Sequence, residues 1–114
     1  MPPDHILLNR VRAALSRNVD VEEKRMFGGI TFMVHGKMCV SVGRDRIMCR
    51  IDPALHDTLL ERPDCRTVIM KGREYRGFVY VDANALKAQP DLEYWIGLSL
   101  DYNSRGKSAP RKRQ

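Results

Sequence analysis

The 114 residues are 43% hydrophobic and 30% charged, which is one domain's worth of ordinary globular composition. The longest early apolar run, Ile6-Leu7-Leu8, excludes a signal-peptide core or a membrane-spanning segment, and a cytoplasmic location is the expectation. The formal charge of +6 sits largely in residues 104–114, which hold five basic and no acidic side chains against fifteen and fourteen in residues 1–103, so the isoelectric point does not describe the body of the chain.

The first expected element is a helix from His5 to Arg17. Asp4 stands where it can accept from a free first-turn amide, and Leu7, Leu8, Val11, Ala14 and Leu15 recur at helical spacing. Lys24 to Phe27 is an edge or a loop, and Gly28-Gly29 breaks the run. Three strands follow at Ile30–Val34, Met38–Val42 and Arg46–Ile51, joined by tight turns at His35-Gly36 and Gly43-Arg44-Asp45.

With these turns, Met33 faces Met38, Val40 faces Cys49 and Val42 faces Ile47. One sheet face is then almost wholly apolar, and the other carries Ile30, Phe32, Val34, Cys39, Ser41, Met48 and Arg50. Cys39 and Cys49 point to opposite sides on this register.

Asp52-Pro53 opens a second helix running to about Arg62, with Leu55 and Leu59 inward. Arg66–Met70 and Tyr75–Val81 form a second hairpin across Lys71-Gly72-Arg73. Asp82 to Lys87 makes one helical turn, and a last helix runs from Pro90 to Asn103 with Leu92, Trp95, Ile96 and Leu100 buried. The order α-β-β-β-α-β-β-α indicates an α+β domain over residues 1–103 with a mostly antiparallel, five-stranded sheet. Residues 104–114 lack apolar periodicity and form a disordered basic tail.

Chemistry-bearing patterns are sparse. Gly28-Gly29 lacks the Gly-Lys-Ser/Thr that a phosphate loop needs, so positive-φ backbone explains the pair. The odd set Cys39, Cys49 and Cys65 has no Cys-x-x-Cys spacing, which argues against disulfides and zinc. Cys65 follows a turn and is expected to be the most exposed thiol, while His35 and His56 read as surface histidines. No catalytic, cofactor or metal residues are assigned, and an enzyme is not expected. Phe32, Phe78 and Tyr80 read as packing residues, although Arg44, Arg46 and Arg50 lie near them.

The block Arg25-Met26-Phe27-Gly28-Gly29-Ile30-Thr31-Phe32-Met33, followed by Gly36-Lys37-Met38-Cys39, Gly77-Phe78-Val79-Tyr80-Val81-Asp82 and Asp91-Leu92-Glu93-Tyr94-Trp95-Ile96, resembles the N-terminal domain of the TfoX/Sxy family of bacterial competence regulators. The resemblance implies a secretion-chaperone-like fold with Arg25, Met26, Phe27, Gly28, Gly29, Gly77, Phe78, Tyr80 and Trp95 as signature positions. It also implies a transcriptional co-regulator or adaptor. Full-length members act on DNA-uptake genes together with the cyclic-AMP receptor protein and carry a second, C-terminal domain, where this sequence has its basic tail.

Two contact surfaces are expected. The second sheet face, through Ile30, Phe32, Val34, Met48 and Arg50, is expected to be buried in a homodimer or against a protein partner. The alternative is a nucleic-acid backbone held by Lys24, Arg25, Arg44, Arg46, Arg105, Lys107, Arg111, Lys112 and Arg113.

Overall fold

A computed structural model of the chain describes residues 5–16, 20–26 and 28–105. Helix α1 spans His5–Leu15, and its Leu7, Leu8, Val11 and Leu15 stripe is buried as its spacing predicts. Strands β1 Val21–Met26, β2 Gly29–Val34, β3 Lys37–Val42 and β4 Arg46–Arg50 follow. A 3-10 turn at Pro53–Leu55 leads into the single-turn helix α2, His56–Leu59. Strands β5 Cys65–Met70 and β6 Arg73–Asp82, a 3-10 turn at Ala83–Leu86 and the long helix α3, Gln89–Arg105, complete the fold. The α+β class is as expected. Asp4, Arg17, Phe27 and residues 106–114 lie outside the described residues. Ser104 and Arg105 belong to α3 and not to a tail.

The sheet has six strands, not five, in the order β1-β2-β3-β4-β6-β5, with every neighbouring pair antiparallel. The extra strand is β1. Its sequence, Val-Glu-Glu-Lys-Arg-Met, carries no apolar alternation because it is an edge strand with its side chains largely in water. Backbone pairing with β2 defines it, from Val21 opposite Val34 to Met26 opposite Gly29. His35 and Gly36, at φ 53° and 75°, form the tight β2–β3 turn, and Lys71 and Gly72 repeat that geometry between β5 and β6.

The expected pairs Met33–Met38, Val40–Cys49 and Val42–Ile47 are all found, but β2 and β3 slip against each other between the first pair and the rest. Met33 pairs with Met38, but Phe32 pairs with Val40, so Cys39 is an extra residue in β3. This β-bulge returns Ile30 and Phe32 to the face of Val40 and Val42. Phe32 and Val34 are therefore core residues, 0% and 1% exposed, and not part of an accessible apolar patch. Only Met48 and Arg50 of the expected interaction set stay on the opposite face, and Met48 is itself 3% exposed. The area that an expected dimer would have covered is covered within the single chain.

All three helices lie on one side. Arg12 of α1 reaches Glu23, which stands beside Phe32. Ser99 of α3 meets the Cys49 thiol, and His56 of α2 meets Thr67. Cys39, Cys49 and Cys65 all join the same apolar cluster, which corrects the opposed placement of the first two and the exposed placement of the third. At its C-terminal end α3 is clasped to the first hairpin: Asn103 Nδ2 donates to the Val34 carbonyl at 2.9 Å, and Lys37 Nζ donates to the Asn103 carbonyl at 2.9 Å.

Candidate interaction face on the helix-free side of the sheet

Pairing across the six strands defines one continuous row on the other face. It runs Lys24, Thr31, Ser41, Met48, Tyr80, Arg66. At the spacing of neighbouring strands the row is about 24 Å long. Its middle is small and polar: Thr31 and Ser41 are buried, and their hydroxyls are 2.9 Å apart. Lys24 and Arg66 at its ends are exposed and Tyr80 is half-buried, while the helix contacts described above fall on the row behind it.

Beside this row, arginines alternate with aromatic rings. Arg46 and Arg50 stand on the same side of β4, and Phe78 and Tyr80 on the same side of β6, because alternate residues share a face. The Arg46 guanidinium lies 3.5 Å from the centre of the Tyr80 ring. Arg50 lies 5.9 Å from Phe78 and 5.4 Å from Tyr102 at the end of α3, and Arg105 lies 6.0 Å from Tyr102. Stacking of this kind contributes about 0.5–1 kcal/mol per pair at exposed sites and holds the guanidinium planes in place. Neither Arg46 nor Arg50 forms an ion pair with a described carboxylate. Arg66 pairs with Asp82 at 3.4 Å, and Arg105 pairs with Asp52 and Asp101.

The residues expected to meet nucleic acid are dispersed. Lys24 and Arg46 share the helix-free face, three strand spacings or roughly 14 Å apart. Arg25, opposite Ile30, points to the helix side at the β1 edge, and Arg44 sits exposed in the β3–β4 turn. Arg105 ends α3, and Lys107, Arg111, Lys112 and Arg113 lie outside the described residues. Of the signature positions, Trp95 is core, Gly28 has φ +77°, and a side chain on Gly29 would strike the Val42 carbonyl. Gly77, at φ +90°, donates its N–H to His56. Arg25 and Met26 are exposed, and Phe78 and Tyr80 belong to the helix-free face. The pattern Phe-Val-Tyr-Val carried that information: Val79 and Val81 are core, so the aromatics between them must face the other way.

Sequence reasoning also missed His56. It is fully buried rather than on the surface, and it links three segments. The Gly77 N–H donates to its Nδ1 at 3.0 Å, so the ring proton resides on Nε2. Nε2 then faces Thr67 Oγ1 at 3.0 Å and Glu74 Oε2 at 3.3 Å. The grouping of His, Thr and Glu is suggestive of nucleophile activation, but a protonated Nε2 cannot take the threonine proton, and Thr67 Oγ1 donates to Glu74 at 2.9 Å. The network fastens α2 to the second hairpin.

Burial pushes the Cys39 thiol up to about 12 and Cys65 up to about 11, against a smaller opposing pull from Arg50 and Arg62 respectively. It pushes Cys49 further still. Thiols so placed are poor nucleophiles. Among the described residues no group of three or more His, Cys, Asp or Glu side chains is arranged to hold a metal ion, and no helix is long and apolar enough to cross a membrane. A cavity of about 440 Å³ lies against the start of α3, lined by Arg62, Asp64, Asn84, Asp91, Tyr94 and Trp95. Its arginine is stacked over Tyr94 at 4.6 Å, and both carboxylates are exposed.

The family model described as the TfoX N-terminal domain matches residues 13–102. No curated protein and no solved structure matches the chain.

Proposed function

The chain belongs to the TfoX N-terminal-domain family, a competence-related regulatory family, and from that premise we propose that it works as a non-catalytic transcriptional co-regulator or adaptor that acts by docking. The observation that carries this reading is the face of Arg46, Tyr80, Arg50 and Phe78. It presents cations without a described ion pair and flat rings on the side of the sheet opposite the helix contacts, where only Tyr102 at the end of α3 reaches Arg50. A layer of that kind is suited to holding a surface and has no converging acid–base pair. The locked tautomer of His56 and the buried thiols favour docking over catalysis for the same reason.

The test is a comparison of transcripts in cells of its own source with the chain removed and with it overproduced. A reciprocal change in a small set of genes, DNA-uptake genes foremost, is expected. It should vanish when Arg46 and Tyr80 are replaced together. Unchanged transcripts in both conditions would remove the regulatory reading.

A further inference from the structure

The two edges of the sheet are unlike. β5, at one end of the strand order, has a register shift between Thr67 and Ile69, and such a bulge spoils an edge as a template for another strand. β1, at the other end, pairs with β2 residue for residue from Val21 to Met26 without a break. The His35 N–H donates to the Asp20 carbonyl at 2.9 Å, which turns the backbone groups of Asp20, Glu22, Lys24 and Met26 toward β2. Those of Val21, Glu23 and Arg25 therefore point away from the sheet, and no described strand lies beyond them.

Charge on an edge strand ordinarily keeps other strands away. On β1 the signs are arranged to accept one particular neighbour. Glu22, Lys24 and Arg25 are exposed and form no ion pair among the described residues, and β2 sets only Met33, Thr31 and Ile30 opposite them. Their complement is the same strand reversed. Two copies of β1 laid antiparallel are related by a two-fold axis perpendicular to the sheet, so opposed residues share a face and one residue meets itself at the centre. With Glu23 at the centre, each Glu22 meets the partner's Lys24. Each Glu23 carboxylate is already held by Arg12 of its own copy, at 2.7 Å and 2.9 Å, and lies diagonal to the partner's Arg25. Centring on Lys24 instead would oppose two lysines that have no described counter-ion and leave Glu22 against Met26.

We propose that the free edge of β1 binds a second copy of this chain in the Glu23-centred register, so that one sheet continues across two molecules. The pairing closes about six backbone hydrogen bonds through Val21, Glu23 and Arg25. α1 packs chiefly on β3 and α3 and not along β1, so it does not occupy the side where the second copy docks. The perpendicular axis keeps the helices of both copies on one side and both helix-free faces on the other. The contact is short, so the dimer forms and dissociates with concentration. The pairing is separate from the docking role above and does not depend on it.

Sedimentation equilibrium of the intact chain tests this between about 1 μM and about 1 mM, at about 50 mM salt. The average mass should rise from that of one chain towards that of two and no further, because a closed two-fold contact uses up the edge. Glu22→Lys and Lys24→Glu should each weaken the dimer by about 10- to 100-fold, since each turns both cross-copy contacts repulsive. An equimolar mixture of the two variants should dimerise again, because one carries two cations on that face of β1 and the other two carboxylates. The chain carrying both changes should dimerise as the parent does. Arg25→Pro removes an N–H that points away from β2, so it should abolish the dimer and spare the β1–β2 ladder. The charge reversals sit at exposed positions and remain informative even where Arg25→Pro fails to fold. A single-chain mass at every concentration, a dimer that neither reversal weakens, no recovery in the doubly changed chain, or a dimer indifferent to Arg25→Pro would overturn the assignment.

Discussion

Two adjacent rows of the same sheet, one residue apart on every strand, have opposite contents. On the helix side the row reads Glu23, Phe32, Val40, Cys49, Val79, Thr67; on the other it reads Lys24, Thr31, Ser41, Met48, Tyr80, Arg66. The middle of each row is buried, so burial does not distinguish them. The first is filled with hydrocarbon that the helices press upon, and its polar ends are tied off by Arg12 and by His56. The second is filled by a pair of hydroxyls bonded to each other, and Lys24 and Arg46 beside it have no described acidic partner. One row specifies the fold, and the other specifies what the fold can hold.

The sharpest way to break that comparison is Phe32→Ala. Phe32 is 0% exposed at the centre of the helix-side row, and its removal should cost about 3–5 kcal/mol in urea unfolding. Arg46→Gln on the other face should cost no more than about 1 kcal/mol, the worth of its stacking on Tyr80. Similar losses from both would mean that the two faces are not divided as described.

Next in size is His56→Leu. The volume is roughly kept, but the buried Gly77 N–H loses its acceptor and Thr67 and Glu74 lose a donor. A loss of about 1–3 kcal/mol is expected. Gly77→Ala should also destabilise, because φ +90° suits no side chain and the new methyl would crowd Pro53 and the Ile51 carbonyl. If His56→Leu unfolds with the parent's midpoint, the network is not a fastening.

The hydroxyl pair offers a subtler test. Thr31→Val alone strips a buried partner from Ser41 and should cost about 1 kcal/mol. Adding Ser41→Ala to it should recover most of that loss, since replacing both partners can be nearly neutral. A double-mutant cycle in urea reads the coupling. Additive losses would mean that the hydroxyls act separately.

How much of this was legible in the sequence follows from which physical signal each feature leaves. The His35-Gly36 turn, the buried stripe of α1, Leu92, Trp95 and Ile96 of α3 and the α+β order are written in local spacing and are found where expected, while Leu100 is only half-buried. Strand β1 leaves no apolar signal because its pairing is backbone to backbone. The bulge at Cys39 leaves none either: one extra residue in β3 changes which face Phe32 occupies without altering any local preference. That slip is why Phe32 and Val34 were expected on a contact surface. The inversion of Leu55 and His56 has a similar cause. A 3-10 turn at Pro53–Leu55 advances with three residues per turn, so an α-helical wheel places the next residues wrongly. Leu55 is 37% exposed and His56 is buried as a result. The arginine–aromatic strip was half legible, since Phe78 and Tyr80 alternate with valines, but Tyr102 joins it only through the folding back of α3.

The smallest expected effect lies at the two polar ends on β1, where Glu23 and Lys24 are neighbours in sequence. Glu23 accepts from Arg12 Nε at 2.7 Å and Nη2 at 2.9 Å, a two-point contact that holds its carboxyl below the ordinary value of 4.5, against a smaller burial effect. A depressed folded value means the contact stabilises at neutral pH, and that contribution is lost as pH falls through it. The parent should therefore lose slightly more stability than Glu23→Gln between pH 5 and pH 3. The difference is small, because both side chains are more than a third exposed, and high salt should shrink it further. Lys24 has no described acidic partner, so Lys24→Gln should leave the acid profile parallel to the parent's. Matching changes in the two variants would show that charge on β1 acts as a diffuse field rather than through the Arg12 contact, and the distinction between a tied face and a free one would lose its clearest edge.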